Sequence, residues 1–135
     1  MAYPSHKMQR LGTLLDEVAG NAAAASRTFE IDCTVFDQVG LTVVYTQSAG
    51  TAVTIQLYRS YDGGTTWGRI QAGALGASGT DSVSDYTISN AVSGNESYDI
   101  GPIDMRLADR LKCVVGVTNG GASDKITVVG GAEVA

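Results

Sequence analysis

Histidine and cysteine, on which much enzyme and zinc chemistry depends, are scarce in this sequence. Its 135 residues include one histidine, His6, and two cysteines. A Ser-His-Asp or Cys-His arrangement needs a histidine that the fold holds in place, and His6 lies in a weakly patterned N-terminal segment. A zinc site is not expected without a histidine cluster. The sequence therefore predicts no enzyme, no metal site and no cofactor.

Basic residues and long apolar runs are also lacking. Nine Lys and Arg residues stand against fourteen Asp and Glu residues, which gives a net charge of -5. A nucleic-acid binder needs clustered basic side chains, so we expect no nucleic-acid partner. A membrane-spanning helix needs about twenty consecutive apolar residues, and no apolar run in this sequence approaches that length. The N-terminus lacks the features of a signal peptide. We expect no membrane partner and synthesis in the cytoplasm.

From Arg27 onward, short segments alternate between apolar and polar residues, as half-buried strands do. The clearest are RTFEIDC, LTVVYTQ and AVTIQLYRS, and the last of these places Val53, Ile55 and Leu57 on one face. Segments rich in Gly, Ser, Asn and Asp separate them, and the 17 glycines favour strands and turns over helices. We predict one all-β domain over residues 27–135, an antiparallel β-sandwich of jelly-roll type with about eight strands.

The segment before this domain, residues 1–26, has a different pattern. Met8, Leu11, Leu15 and Val18 fall at helical spacing before the small-residue run GNAAAAS. Two interpretations stay open. The segment forms a short amphipathic helix that packs on the domain, or it is an arm that becomes ordered against a neighbouring subunit.

Both cysteines occupy apolar faces of predicted strands. Cys33 follows Phe29 and Ile31 at alternate positions, and Cys113 lies between Leu111 and Val115 in the same way. Both side chains should therefore point into the core. They are expected either as buried free thiols, which suits a cytoplasmic origin, or as a disulfide across the core.

The stretch YRSYDGGTTWGRI contains the one motif with a defined spacing. It reads Ser60-x-Asp62-x-Gly64-x-Thr66-Trp67, and it resembles the Asp box, a β-hairpin signature of sialidases and of unrelated β proteins. Asp62 is expected to accept backbone hydrogen bonds across the turn, and Gly63 and Gly64 to adopt positive φ. The resemblance implies a structural hairpin clasp. It does not imply glycosidase activity, because the arginines of this chain are not grouped as a sialidase arginine triad would require.

Taken over residues 27–135, the chain resembles the small accessory proteins of tailed-phage virions. The resemblance rests on GLTVVYTQSAGTAVTIQLYRSYDGGTTW and on the Gly- and Thr-rich end ASDKITVVGGAEV. It implies a capsid decoration or cement protein on the outer surface of the virion, commonly a trimer, whose partner is the major capsid protein. Synthesis would then take place in the host cytoplasm. A tail or connector component of the virion is an alternative.

Contact residues follow from this interpretation and from its competitor. Apolar side chains without an evident place in the sandwich are the candidates for capsid or subunit contact: Met8, Leu11, Leu14, Leu15, Leu75 and Val92. The competing function is that of a carbohydrate-binding module, which would use exposed aromatic side chains, here Tyr61 and Trp67.

Overall fold

The strands of this protein were located in a computed structural model, which describes residues 7–18, 26–46, 52–70, 86–89, 95–118 and 125–135. The described part of the chain forms nine β-strands and no helix. The strands are β1 (Lys7–Val18), β2 (Ser26–Asp32), β3 (Phe36–Thr46), β4 (Ala52–Ser60), β5 (Gly68–Arg69), β6 (Tyr86–Ser89), β7 (Asn95–Asp104), β8 (Arg110–Thr118) and β9 (Lys125–Val134).

The strands build two sheets whose pairs are all antiparallel. Sheet A has the order β1-β9-β3-β7, and sheet B has the order β2-β8-β4-β5, with β6 also paired to β4. The chain changes sheet at each step from β1 to β4 and again from β7 to β9. This alternation is the jelly-roll connection pattern, so the predicted all-β antiparallel sandwich is confirmed.

The core lies between the sheets, where the inward residues of both are buried. On β3 these are Val39, Leu41, Val43 and Tyr45, and the outward Thr42 between them is exposed. The inward positions of β4 and β8 meet them from sheet B: Val53, Ile55, Leu57, Leu111, Cys113 and Val115. Both cysteines are buried, as their alternation predicted, and both are free thiols rather than a disulfide.

The short helix that was one interpretation of the N-terminal segment is wrong for Lys7–Val18, which forms strand β1. β1 pairs with β9 through a register that shifts between Arg10 and Gly12 and again between Thr13 and Leu15. The extra residues at these shifts, Leu11 and Leu14, pack against the core. Two bulges thus break the period of two and give the apolar residues a spacing that imitates a helix. Residues 1–6 and 19–25 of the predicted arm lie outside the described residues.

Candidate binding surfaces

The turn between β4 and β5 is held by one buried hydroxyl and one exposed carboxylate. Ser60 Oγ donates to Asp62 Oδ1 at 2.8 Å and accepts from the Gly64 N–H at 2.8 Å. Asp62 Oδ1 also accepts from the Thr66 N–H at 2.8 Å. These hydrogen bonds, first that from Thr66 and then that from Ser60, hold the pKa of Asp62 below its ordinary value. Gly63 and Gly64 have φ of 72° and 91°, which explains why glycine occupies both positions.

Asp109 joins this turn to two further loops at the same end of the sandwich. Its N–H donates to the Ser60 carbonyl oxygen at 3.0 Å, and its Oδ2 accepts from the Gly63 N–H at 2.8 Å. Its carbonyl oxygen accepts from the Cys33 N–H at 2.7 Å. The β2–β3, β4–β5 and β7–β8 loops are therefore tied to one another through a single residue.

Three large apolar side chains are exposed on these tied loops, and we call them the end patch. They are Val35 in the β2–β3 loop, Tyr61 in the β4–β5 loop and Leu107 in the β7–β8 loop, with 55%, 63% and 89% of their surface exposed. Tyr61 and Leu107 border the same depression of about 60 Å³, together with Arg59. Arg59 is fixed there because its Nη1 donates to the Asp104 carbonyl oxygen at 2.8 Å. The end patch thus presents apolar side chains on a braced support.

The outer face of sheet B carries a lysine between two aromatic rings. Lys112 Nζ lies 4.7 Å from the centroid of Tyr58 and 4.6 Å from that of Trp67, within the range of cation–π attraction. The half-buried Trp67 also packs on the turn, since its Cζ2 lies 3.3 Å from the position of a Cβ atom on Gly64. Lys112 therefore covers part of the ring that the carbohydrate interpretation would use as a platform, whereas Tyr61 is exposed.

The outer face of sheet A contains a groove of about 270 Å³, which we call the sheet A groove. Its floor is formed where Gly40 on β3 pairs with Gly131 on β9. Side chains stand around this bare backbone, and they include Met8, Gln38, Asp99, Pro102 and Glu133. The groove is thus a gap in the outward side chains of the sheet.

The predicted contact residues on β1 fall into two groups. Leu15 is in the core at 8% exposure, and Leu11 and Leu14 are partly buried against it, so the fold uses these three side chains internally. Met8 is 73% exposed and lies at the sheet A groove. Leu75 and Val92 lie outside the described residues.

Both cysteine thiols are buried and held in their protonated form. Burial raises the pKa of Cys33 to about 11 and that of Cys113 to about 12, so both thiols are protonated at neutral pH. No group of three or more His, Cys, Asp or Glu side chains that could hold a metal ion occurs among the described residues. Nor do these residues include a helix long and apolar enough to cross a membrane.

No known protein family has a model that matches this chain, and no curated protein matches its sequence. Among solved structures, a chain of infectious bursal disease virus, Gx strain, is 12% identical, with a TM-score of 0.44 over 97% of this chain and 32% of that one. The SPBc2 prophage-derived protein YomS is 14% identical, with a TM-score of 0.47 over 98% and 97% of the two chains.

A carbohydrate-binding module specific for non-crystalline cellulose, CBM28, is 13% identical, with a TM-score of 0.45 over 90% of this chain and 71% of that one. The present chain spans about a third of the bursal disease virus chain, since it covers 32% of its length. Nothing about function follows from likenesses of this size.

Some surface residues were not singled out from the sequence. Leu107 and Val35 carry no sequence signal, since single apolar residues in loops are common on protein surfaces. Gly40 and Gly131 do carry one, because glycine inside a strand can mark a place where a ligand or another backbone approaches closely. That they adjoin one another depends on the β3–β9 register.

Proposed function

We propose that the chain is a non-enzymatic structural protein of a tailed-phage virion that binds the outside of the capsid lattice and stabilises it. The end patch is the observation that carries this proposal. It exposes Val35, Tyr61 and Leu107 on loops that Asp109 ties together. The resemblance of the sequence to phage accessory proteins supplies the partner, the major capsid protein, and a homo-oligomeric form, of which a trimer is favoured.

The apolar side chains of the end patch suit attachment to a capsid because the loops that carry them are already ordered before binding. The loops of the end patch are already joined by hydrogen bonds of 2.7–3.0 Å, so the entropy lost on docking is reduced. Full burial of a leucine or valine side chain contributes about 1.5–3 kcal/mol. A tyrosine beside it is among the residues that most often dominate interface energies. Many weak attachments then stabilise a shell collectively.

The chemistry of the described residues supports binding rather than catalysis. The cysteines are buried and protonated. The exposed carboxylate of Asp62 is engaged by the turn, and that of Asp104 by Arg106 at 2.8 Å. These groups keep the fold in shape, and none of them is a nucleophile or proton donor with a matched partner.

The first experiment asks whether the chain travels with virions. Particles from the native source are separated on a density gradient, and the chain is counted in each fraction by quantitative mass spectrometry. Full heads that carry on the order of hundreds of copies support the proposal, since a lattice offers many equivalent sites. A few copies per particle place the chain in the tail or connector instead, and its absence from all particles overturns the virion assignment.

The second experiment tests the end patch itself. Particles stripped of the chain are incubated with the purified protein or with Leu107→Thr, and bound protein is measured after sedimentation. We expect at least about a tenfold loss of affinity for Leu107→Thr, since an anchor residue contributes 1.4 kcal/mol or more. Val129→Thr is the matched control, because Val129 is an exposed aliphatic residue on sheet A. Equal binding by both variants would rule out attachment through the end patch.

A further inference from the structure

The outer face of sheet A is flat along its two central strands and carries no charged residue there. The six outward positions in the middle of β3 and β9 are Gly40, Thr42, Val44, Thr127, Val129 and Gly131. Each of these residues is small or β-branched, and Val129 has 40% of its surface exposed. Side chains of this kind form an even surface against which a second sheet can pack at a distance of about 10 Å.

The outer face of sheet B has a different character. The outward positions of its central strands β4 and β8 include Gln56, Tyr58, Arg110 and Lys112. Lys112 stands between the rings of Tyr58 and Trp67, so large polar and aromatic side chains project from this sheet. Of the two outer faces, that of sheet A is therefore the one suited to packing against another sheet.

The register of sheet A makes its outer face complementary to itself about a two-fold axis. The axis lies in the plane of the face, runs perpendicular to the strands and passes over Thr42. Rotation about it brings each strand over the same strand of a second copy, in the opposite direction. Val44 then lies over the partner's Gly40, and Thr127 over the partner's Gly131. These rows adjoin the axis, so the crossing angle of about 30° between stacked sheets displaces them least.

This arrangement fills the sheet A groove. The groove of about 270 Å³ has Gly40 and Gly131 in its floor, and both glycines lie beside register shifts of their own sheet. An axis parallel to the strands would instead place Gly40 over the partner's Gly131 and leave two grooves facing each other as a void. The cores of protein interfaces pack as densely as protein interiors. The perpendicular axis is therefore the one that the shape of the face favours.

The charges at the border of the face pair with opposite sign across the same axis. On β1, Arg10 lies one row to one side of the axis and Asp16 one row to the other, so each faces the other residue of the partner. Asp16 also pairs with Lys125 at 3.1 Å within the chain, and Lys125 faces the partner's Glu133 in the outermost rows. Asp99 is the exception, because it lies in the row of the axis and faces the same residue of the partner.

The face is large enough for a specific interface. Four strands about 4.8 Å apart, each with about nine residues at 3.3–3.4 Å per residue, give about 19 Å by 27 Å, or about 500 Å² per copy. Two copies together would then bury about 1,000 Å², the size that separates biological interfaces from most crystal contacts.

We propose that two copies of this chain associate through the outer faces of sheet A, with Val44 and Thr127 of each copy in the groove of the other. This association goes beyond capsid attachment, which uses the end patch, and does not depend on it. The resemblance to phage proteins favours a trimer, whereas a face that is complementary to itself about a two-fold axis forms a dimer.

Sedimentation velocity of the purified full chain over a range of concentrations measures the association. Wild type should reach twice the monomer mass of 14.0 kDa. Thr42→Lys brings two lysines together at the axis and should weaken the dimer at least about tenfold. Thr28→Lys is the matched control, since Thr28 is also an exposed strand threonine but belongs to sheet B. It should dimerise as wild type does, and both variants should keep the wild-type Tm because both positions are exposed.

Asp99→Asn tests the direction of the axis. With the perpendicular axis, the substitution removes a like-charge pair and should strengthen the dimer. With the parallel axis, Asp99 would lie near the partner's Arg10, and the same substitution would weaken the dimer. The proposal is overturned by a monomer at every concentration, by a trimer, by a dimer that Thr42→Lys leaves intact or that Thr28→Lys weakens equally, or by an Asp99→Asn dimer that is no stronger than that of wild type.

Discussion

Leu14 and Gly130 are in direct contact across the β1–β9 pair. Leu14 Cδ1 lies 2.7 Å from the position that a Cβ atom would take on Gly130, and Leu11 Cβ lies 3.3 Å from it. The two bulges of β1 direct both leucines onto the buried glycine. The edge strand is thereby fixed to the core by two leucine side chains that pack closely over Gly130.

We therefore predict that Gly130→Ala lowers the free energy of unfolding by about 1–3 kcal/mol, because the added methyl group forces the leucines off their packing positions. Urea unfolding followed by circular dichroism measures the change. Gly40→Ala on the adjacent strand is the control, with no atom within 4 Å of its Cβ position. It should be neutral or stabilise by up to about 1 kcal/mol. Equal effects of the two substitutions would contradict the packing argument.

Ser60→Ala should destabilise the β4–β5 turn, which begins at this last, fully buried residue of β4. The buried hydroxyl bonds both Asp62 and the Gly64 N–H, and its removal leaves that N–H without its partner. The expected loss is about 1–3 kcal/mol in the free energy of unfolding. Thr65→Ala in the same turn provides the comparison, since Thr65 is exposed, and it should change stability by no more than about 0.5 kcal/mol. Thermal unfolding of the two variants tests this difference.

The sequence predicted the fold best where one strand obeys a single period. Alternation along β3, β4 and β8 placed the core residues and both thiols correctly, because each of these strands has one buried face. β1 was missed because its bulges at Leu11 and Leu14 shift the buried face twice within one strand. The position of a bulge depends on the partner strand, here on the space above Gly130. The local periodicity of β1 therefore does not show where its bulges lie.

The surfaces were less predictable than the core for a related reason. The side-chain bonds of Ser60 and Asp62 that hold the turn are encoded locally, since their partners lie within Ser60–Thr66. The sheet A groove depends on the pairing of Gly40 with Gly131, which are far apart in the chain. The end patch depends on Asp109, which bonds two other loops. Features that need several segments at once emerge only with the strand order.

Asp62 gives the turn an acid-sensitive contribution to stability. Hydrogen bonds from the Thr66 N–H and from Ser60 hold the pKa of Asp62 below its ordinary value of 3.8. A carboxyl group whose pKa is lowered on folding stabilises the protein above its unfolded pKa, and this contribution is lost as the pH falls further. The stability advantage of wild type over Asp62→Asn should therefore be present at neutral pH and shrink below pH 3.8. Urea unfolding across this range measures it, and a difference that does not change with pH would contradict the assignment.

Cys113 should make the protein sensitive to alkali. Burial raises the pKa of its thiol from 9.0 to about 12, so the unfolded chain releases this proton at a lower pH than the folded protein does. Stability is therefore complete below pH 9 and declines between pH 9 and about 12, by up to about 1.4 kcal/mol per pH unit. Cys33, whose pKa rises to about 11 for the same reason, adds to the slope.

The measurement compares wild type with Cys113→Ala by urea unfolding at about pH 8 and about pH 10.5. The variant has a cavity and is less stable at both values, but its loss of stability between them should be smaller, because one buried thiol no longer titrates. The comparison isolates this thiol, because the two proteins differ only at position 113. If the free energy of unfolding of the two proteins falls by the same amount between these pH values, the pKa of the Cys113 thiol is the same in the folded and unfolded states. That result would contradict a pKa raised by burial.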